Sequence, residues 1–267
     1  MKIHPTAIIH PDAEIAGDVE IGPHVCIESR VFIGAGCVLQ AHSILTGTVR
    51  MGEGNLIGYG AVIGAPPQAL SFRPETDSEV VIGNANIIRE YSTIHRGMNE
   101  GSATRLGDHN FLMAGSHLGH DSLVGNHVIM ANNVLLGGHV EIRDRAFLGG
   151  GAVFHQFVRV GEMVVAQGNS AFSKDIPPFL IAAERNYVFG LNAVGLRRAG
   201  LPPAERQEIK EAFKLLYKSG LNTTQAVEKA RERNWGEKSR GFFEFVAKAK
   251  KRGICDLMHN APPNHGE

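Results

Sequence analysis

The 267-residue sequence predicts a mainly β fold, a parallel β-helix of six-residue repeats followed by helices at its C-terminal end. Two repeating positions and one change of pattern support this prediction. A large aliphatic residue recurs at every sixth position, and a small or β-branched residue usually lies four positions after it. Both patterns stop near residue 172. An α-helix or an ordinary hairpin does not require a period of six residues.

The first block of repeats begins at Ile3 and continues without a miss to Ile63. Its aliphatic positions are Ile3, Ile9, Ile15, Ile21, Ile27, Ile33, Leu39, Leu45, Met51, Ile57 and Ile63. The two repeating positions are two residues apart, so in an extended chain both side chains point to the same side. Each unit is therefore a short strand and a turn, and it can bury its apolar side only by stacking on other units.

The same spacing returns at residues 82–94 and 106–166. Two stretches interrupt it, residues 65–81, which contain three prolines, and residues 95–105, which are polar and glycine-rich. Loops expelled from a regular coil have no packing reason to lie there. We therefore expect both loops to contact a substrate or another subunit.

A glycine often follows the aliphatic residue of the repeat. A corner of the coil needs a residue that tolerates φ above zero, and we expect these glycines to provide it. They are Gly22, Gly34, Gly52, Gly58, Gly125, Gly149 and Gly161.

A helical pattern replaces the repeat in the C-terminal part of the chain. Pro203 is suited to a helix start, and Ile209, Phe213 and Leu216 follow at helical spacing before Gly220 ends the segment. The pattern therefore predicts a first long helix between the proline and the glycine.

Two more helices are predicted near residues 224–233 and 239–252. We expect two domains, a β-helix over residues 1–190 and a helical domain over residues 191–267. The helices would also cover the open edge of the last coil, which could otherwise pair with another chain.

Composition limits the class of protein. The formal net charge is zero, so no global basic field favours a nucleic acid or a membrane surface as partner. Cys26, Cys37 and Cys255 lack the spacing of a metal site, and a reducing compartment explains them most simply. The sequence has no signal-peptide core and no apolar run of membrane-spanning length. We therefore expect a cytoplasmic protein without stable membrane insertion.

A group of polar residues falls close to one column of the predicted coil. Three hexapeptides make one triangular turn, so residues eighteen apart should stack about 4.8 Å from each other. From His120 this step leads to Gly138 and then to Gln156, while from Asp121 it leads to His139. The whole group comprises His117, His120, Asp121, Gly138, His139, His155 and Gln156.

This column suits the transfer of an acyl group. A neutral imidazole can remove a proton from an attacking hydroxyl while a carboxylate orients the ring. A glycine amide one coil away can stabilise the oxyanion that forms. We find no Ser or Cys placed to act as a nucleophile, so the acceptor would attack directly. Two alternatives stay open, a structural ladder of polar side chains and a zinc site of three imidazoles.

Several motifs resemble, in order and spacing, the bacterial UDP-N-acetylglucosamine O-acyltransferases that begin lipid A biosynthesis. The motifs are IHRG at 94–97, HLGHD at 117–121, GGHV at 137–140, VFHQF at 153–157, DIPP at 175–178, FGLN at 189–192 and GLRRAG at 195–200. Hexapeptide repeats alone would be much less specific, because many unrelated acyltransferases contain them.

The resemblance implies a left-handed β-helix and a homotrimer with active sites between adjacent subunits. It implies an enzyme that moves an (R)-3-hydroxyacyl group from acyl carrier protein to the 3-hydroxyl of UDP-N-acetylglucosamine. No metal or other cofactor is expected. The length of the acyl chain is left open.

The resemblance also assigns roles to residues. His120 matches the general base, Asp121 the carboxylate that orients it, and Gly138 the amide that stabilises the oxyanion. Gly168 matches the position that sets acyl length. The positions that match substrate-binding residues around the sugar, the acyl chain, the nucleotide or its phosphates are Gln68, His117, His139, His155, Gln156, Asn192 and Arg198.

The chain departs from the family pattern at three positions. Ala69, Ser71 and Val194 stand where the family has an Asp, a Lys and a Glu. Their loss favours, as an alternative, a related enzyme that acylates a modified acceptor such as a 3-amino UDP-sugar. Arg73, two residues beyond Ser71, offers another cation for the same phosphate.

A stripe of four cations is predicted on the first long helix, because Arg206, Lys210, Lys214 and Lys218 recur every four residues. One interpretation is an ordinary solvated face. The other is a docking surface for the acidic acyl carrier protein, since opposite charge raises encounter rates.

Overall fold

The computed structural model describes residues 2–249 and 251–258. The last nine residues of the predicted helical domain lie outside this described part. Within it, short strands stack into three sheets that form the faces of a triangular prism. The predicted fold class is confirmed, because these strands are parallel from coil to coil and the helices follow them.

The first sheet contains twelve strands. They are β1 (Lys2–Ile3), β4 (Glu20–Ile21), β7 (Val38–Leu39), β10 (Leu56–Ile57), β13 (Ile87–Ile88), β16 (Phe111–Leu112), β19 (Ile129–Met130), β22 (Phe147–Leu148), β25 (Val165–Ala166), β27 (Leu180–Ala183), β28 (Tyr187–Leu191) and β29 (Asp256–Leu257). The pair β27 and β28 is antiparallel, and β29 returns from the C-terminal part of the chain to pair with β28.

The second and third sheets contain nine and eight strands. The second has β2 (Ile8–Ile9), β5 (Cys26–Ile27), β8 (Ile44–Leu45), β11 (Val62–Ala65), β14 (Thr93–His95), β17 (His117–Leu118), β20 (Leu135–Leu136), β23 (Val153–Phe154) and β26 (Ala171–Phe172). The third has β3 (Glu14–Ile15), β6 (Arg30–Ile33), β9 (Thr48–Met51), β12 (Glu79–Ile82), β15 (Ala103–Leu106), β18 (Leu123–Val124), β21 (Glu141–Ile142) and β24 (Arg159–Val160).

The strand register confirms the predicted step of eighteen residues. His117 pairs with Leu135, and Leu135 pairs with Val153. Where a loop intervenes the step is longer, as between Thr93 and His117, but the register resumes beyond it. The repeating aliphatic residues point into the prism, where Ile57 and its counterparts from Ile21 onward are almost completely buried, whereas Ile3 in the first coil is 45% exposed. Burial of each such side chain stabilises the fold by about 1.5–3 kcal/mol.

The predicted reason for the glycines after the aliphatic residues is wrong. The left-handed backbone lies two positions later, at residues such as His24, Gly36 and Gly54. The glycines are instead required by the close approach of successive coils. A Cβ at Gly34 would lie 2.7 Å from the carbonyl carbon of Gly52, which leaves no room for a side chain.

Four helices follow the coils in the described part of the chain. They are α1 (Ala193–Arg198), α2 (Pro203–Lys218), α3 (Thr223–Ala230) and α4 (Glu237–Ala247). The predicted start of α2 is confirmed, with Pro203 in its first turn, and Ile209, Phe213 and Leu216 are buried. Helix α1 was not predicted, since it is short.

The ends of the last two helices differ from the prediction. A capping box between Asn222 and Gln225 starts α3, and the helix ends at Ala230, three residues early. Helix α4 ends at Ala247, five residues early. The chain then has to turn back, with φ of +72° at Gly253, so that β29 can add to the first sheet. In the part of the chain that the structure describes, no helix has the length and apolar character of a membrane span.

Candidate active site

The candidate site lies at one edge of the prism, where the chain passes from the second sheet to the third. After β17, β20 and β23 the chain makes the same short turn in each coil. His120, Gly138 and Gln156 occupy one position of this turn, and Asp121 and His139 occupy the next. Asp121 and His139 both have φ of +59°, the left-handed conformation that turns the corner.

His120 and Asp121 form a hydrogen-bonded pair. Nδ1 of His120 lies 2.8 Å from Oδ2 of Asp121, and both side chains are largely buried. The carboxylate also accepts the N–H of Met98, and the Asp121 N–H donates to Oγ1 of Thr104. The carboxylate is thereby held in place by the polar loop before β15.

The charge state of this pair follows from its hydrogen bonds. Burial opposes ionisation of Asp121, but hydrogen bonds from His120, Ser102 and Met98 outweigh it and hold the pKa of the carboxyl below its usual value. The ionised carboxylate can only accept, so Nδ1 of His120 carries the proton. In the neutral ring, Nε2 then has a free lone pair and can act as a base.

Gly138 faces this base directly. A Cβ at Gly138 would lie 2.5 Å from both Nε2 and Cε1 of His120, so only glycine leaves the base accessible. Within residues 2–249 and 251–258, no acceptor takes the N–H of Gly138. A free amide beside the base is suited to bind an oxyanion.

His139 closes one side of the site. Its Nε2 lies 3.7 Å from Oδ2 of Asp121, and its ring meets the His120 ring edge-on, with centroids 5.1 Å apart. Phe157, one coil further, stacks on His139 at 4.6 Å. Sequence reasoning missed Phe157, although the step of eighteen residues from His139 leads to it.

His117 projects from the second sheet beside this corner. Its Nδ1 lies 2.7 Å from Oγ1 of Thr93, and the ring of His95 meets it edge-on at 4.8 Å. Burial lowers the pKa of His117. Burial, followed by the charges of His117 and His120, lowers the pKa of His95 to about 4. Both rings are therefore neutral at pH 7, and His95 and Thr93 are site neighbours that the sequence reasoning did not single out.

His155 and Gln156 belong to the next coil, where both contact the C-terminal segment. Nδ1 of His155 lies 2.6 Å from a guanidinium nitrogen of Arg252, which also donates to the backbone oxygen of Gln156. Among the described residues, no contact joins His155 to His120 or His139. The structure therefore connects His155 to the C-terminal segment instead.

Among the described residues, no contact joins the other predicted binding residues to the His120 corner. Gln68 and Arg198 are exposed, on the loop before β12 and at the end of α1. The Asn192 side chain caps α1 by accepting the N–H of Gly195, and it donates to the backbone oxygen of Met163. Gly168 lies at a different edge, between the first and second sheets.

The positions that depart from the family pattern are accessible. Ser71 and Arg73 are exposed, Ala69 is partly exposed, and Val194 is 47% exposed. Arg96 holds the loop of Ala69, Ser71 and Arg73 in place, since its guanidinium donates to the backbone oxygen of Pro74.

The predicted zinc alternative has a partial counterpart. His120, Asp121 and His139 offer ligand atoms that lie within 4.8 Å of one another. This set has two imidazoles and a carboxylate, not three imidazoles. Such a set is within the chemistry of zinc ligands.

Comparison with known proteins gives concordant matches. A family model described as Udp N-acetylglucosamine O-acyltransferase, domain 2, matches residues 175–255, and a model of six bacterial transferase hexapeptide repeats matches residues 1–35. An acyl-[acyl-carrier-protein]--UDP-N-acetylglucosamine O-acyltransferase from Anaeromyxobacter sp. is 38% identical over 95% of this chain and 99% of its own length. The protein of the same name from Campylobacter concisus is 35% identical over 94% of this chain and 96% of its own length.

Solved structures agree with these matches. A UDP-N-acetylglucosamine acyltransferase from Bacteroides fragilis has a TM-score of 0.88 and 38% identity, and the alignment covers 94% of this chain and 99% of that one. The enzyme from Francisella novicida has a TM-score of 0.90 and 35% identity, with 98% and 95% covered.

Proposed function

This chain belongs to the UDP-N-acetylglucosamine O-acyltransferase family, and from that membership we propose how it acts. It is an acyltransferase that moves an (R)-3-hydroxyacyl group from acyl carrier protein to the 3-hydroxyl of UDP-N-acetylglucosamine, the step that begins lipid A biosynthesis. The names of its relatives support a hydroxyl acceptor and do not support the 3-amino UDP-sugar considered as an alternative.

The pair of His120 and Gly138 is the observation that carries the mechanism. Nε2 of His120 removes the proton from the 3-hydroxyl as that oxygen attacks the thioester carbonyl. Asp121 stabilises the imidazolium that forms, and the Gly138 N–H stabilises the oxyanion. When the tetrahedral intermediate collapses, the carbon–sulfur bond breaks and the carrier-protein thiolate takes the proton from His120. The products are the acyl ester and the carrier-protein thiol, and His120 is neutral again.

A homotrimer is supported by the outer surfaces of two sheets. Outward residues of the second sheet include Ile44 and Leu135, which are 38% and 43% exposed, and Phe147 on the first sheet is 40% exposed. The third sheet instead presents charged residues such as Arg105 and Glu141. Two different apolar faces on one subunit suit a closed ring, in which each face of one copy meets the other face of the next.

Docking of acyl carrier protein on α2 is supported by the exposure of its cations. Lys210, Lys214 and Lys218 are exposed and Arg206 is half-buried. Within the described residues none of the four has a carboxylate within ion-pairing distance. The exposed Lys210 and Lys214 can therefore meet an acidic partner, and Lys218 lies over the Phe213 ring beside them. We also propose action in the cytoplasm, which three unpaired cysteines support.

The experiment is a product assay with His120→Ala. We expect purified wild-type protein, supplied with 3-hydroxyacyl carrier protein and UDP-N-acetylglucosamine, to give a product whose mass shows one added acyl group. Because the acyl group is on oxygen, hydroxylamine should release it. His120→Ala should lower kcat by about 10²–10⁴ while the melting temperature is kept. Retained turnover in the variant would contradict the role of His120.

The metal alternative has its own readout. Zinc bound in stoichiometric amount after purification without chelators, together with loss of turnover on chelation, would favour it. Turnover that withstands chelation would rule it out.

A further inference from the structure

We propose that Arg252 is a positioning residue that fixes the tautomer of His155 and makes its Nε2 a hydrogen-bond donor to the nucleotide sugar. The inference rests on the proposed function and on the family resemblance, by which His155 matches a residue that binds this substrate. Nothing in the sequence motifs pointed to Arg252, which lies between the last helix and β29.

The contact itself dictates the tautomer. A guanidinium nitrogen of Arg252 lies 2.6 Å from Nδ1 of His155. Arginine has only donors and keeps its charge at all ordinary pH values, so Nδ1 has to be the acceptor. The single proton of the neutral ring is then on Nε2. Without Arg252, Nδ1 has a different partner, the backbone oxygen of Gln156 at 3.2 Å. That oxygen only accepts, so it selects the opposite tautomer, with the proton on Nδ1 and a lone pair on Nε2.

The position of Arg252 is set by the residues that follow it. The Asp175 N–H donates to the oxygen of Gly253, and the Cys255 N–H donates to the oxygen of Asp175. The Tyr217 hydroxyl donates to the oxygen of Cys255 at 3.0 Å. Strand β29 then pairs with β28. The C-terminal segment is therefore attached to the coil immediately after Arg252, which is exposed and packs little itself.

A space beside Arg252 reaches Phe157, next to the His120 corner. A cavity of about 330 Å³ is lined by Phe157, Asp175, Lys251, Arg252 and Gly253. Phe157 is the residue that stacks on His139. An anionic or oxygen-rich substrate group near this cavity would find the donor Nε2 of His155 close to cationic side chains.

The first measurement is the tautomer of His155 in the free protein. We propose ¹⁵N-histidine NMR at pH 8, with the signal assigned through His155→Gln, for wild type, Arg252→Met and Lys251→Met. Lys251→Met removes a neighbouring positive charge but no described contact with His155, so it is the matched control. We expect a proton on Nε2 in wild type and in the control, and on Nδ1 in Arg252→Met. The same tautomer in all three proteins would overturn the proposal.

The second measurement is steady-state kinetics. The wrong tautomer presents a lone pair to an acceptor atom of the substrate, so Arg252→Met should raise the KM for UDP-N-acetylglucosamine about tenfold. The KM for acyl carrier protein, kcat and the melting temperature should stay near their wild-type values. A tautomer change without a change in KM would overturn the role in substrate binding. Absence of acyl transfer in wild type would instead reject the proposed function, while the NMR result would still stand.

Discussion

Gly138 and His120 face each other across one coil, and the space between them has no room for a side chain. A Cβ on Gly138 would come within 2.5 Å of the nitrogen that we propose as the base. The same residue carries the amide that we propose for the oxyanion. One missing side chain therefore serves both proposed roles.

Gly138→Ala should reduce turnover much more than stability. The added methyl group would displace the His120 ring, and a misplaced base costs about 10²-fold or more in kcat. The melting temperature should change little, because the ring can move towards solvent. The control is Gly17→Ala, where the new Cβ would have no atom within 4 Å. Wild-type kcat in Gly138→Ala would contradict the geometry proposed for the base.

His95 makes the stability of the protein depend on pH. Its pKa is lowered to about 4 by burial and by the charges of His117 and His120, whereas an unfolded histidine titrates near pH 6.5. Between these values the unfolded state binds more protons, so stability is highest above pH 6.5 and falls as the pH falls to about 4. The expected loss from this residue is about 3 kcal/mol.

Urea unfolding at pH 7, 5.5 and 4.5 checks this expectation. His95→Gln should flatten the pH dependence, although it lowers the stability at pH 7. His109→Gln, at an exposed corner, should keep the wild-type dependence. Equal slopes in wild type and His95→Gln would exclude His95 as the source.

How much of the site the sequence predicts depends on the repeat. His120, Asp121, Gly138 and His139 could be brought together because each lies in register with the eighteen-residue step. Met98, Ser102 and Arg252 could not, since they lie in a loop and in the C-terminal segment, where no period relates sequence to position. The tautomer of a histidine ring depends on such partners and therefore cannot be predicted from the sequence.

At the scale of elements, a ladder of buried amides runs along the inside of one edge. The side chain of Asn86 donates to Oδ1 of Asn55 and accepts from the backbone and side chain of Asn110. The ladder continues to the N–H of Val128. Each amide satisfies buried donors in the next coil, so the ladder holds neighbouring coils in register.

Asn86→Ala should destabilise the β-helix by about 2–4 kcal/mol, because it leaves several buried groups without a partner. The urea midpoint checks the change. Asn99→Ala, on an exposed loop where the side chain has no described hydrogen bond, is the control and should change the midpoint little. An unchanged midpoint in Asn86→Ala would show that the ladder does not contribute.

The elements that sequence reasoning missed have a common physical cause. The coils are specified by a short local pattern, whereas β29 forms only because the chain returns to pair with β28. The early end of α4 at Ala247 follows from that return as well. The glycines were assigned to backbone conformation. A side chain at Gly34 or its counterparts would instead clash with the next coil, whose residues lie far along the chain.

At the scale of the whole molecule, the apolar outer faces lead to a test of assembly. Leu135→Asp places a charge on the outer face of the second sheet, which the proposed trimer buries, and it should give monomers by light scattering coupled to size exclusion. Leu123→Asp is the matched control, because Leu123 is similarly exposed, at 42%, but lies on the charged third sheet. This control should stay trimeric. A trimeric Leu135→Asp would contradict the proposed interface.

The vertical register also governs which insertions and deletions the chain can accept. Six extra residues between Thr93 and His117 bulge out at a corner, and the strands above them pair as if nothing had been added. Six residues lost from the regular coil would instead rotate everything above by one face of the prism and carry His139 away from Asp121. Natural and engineered variation in chain length should therefore be confined to bulging corners or to whole turns, because any other change alters which face of the prism each later strand occupies.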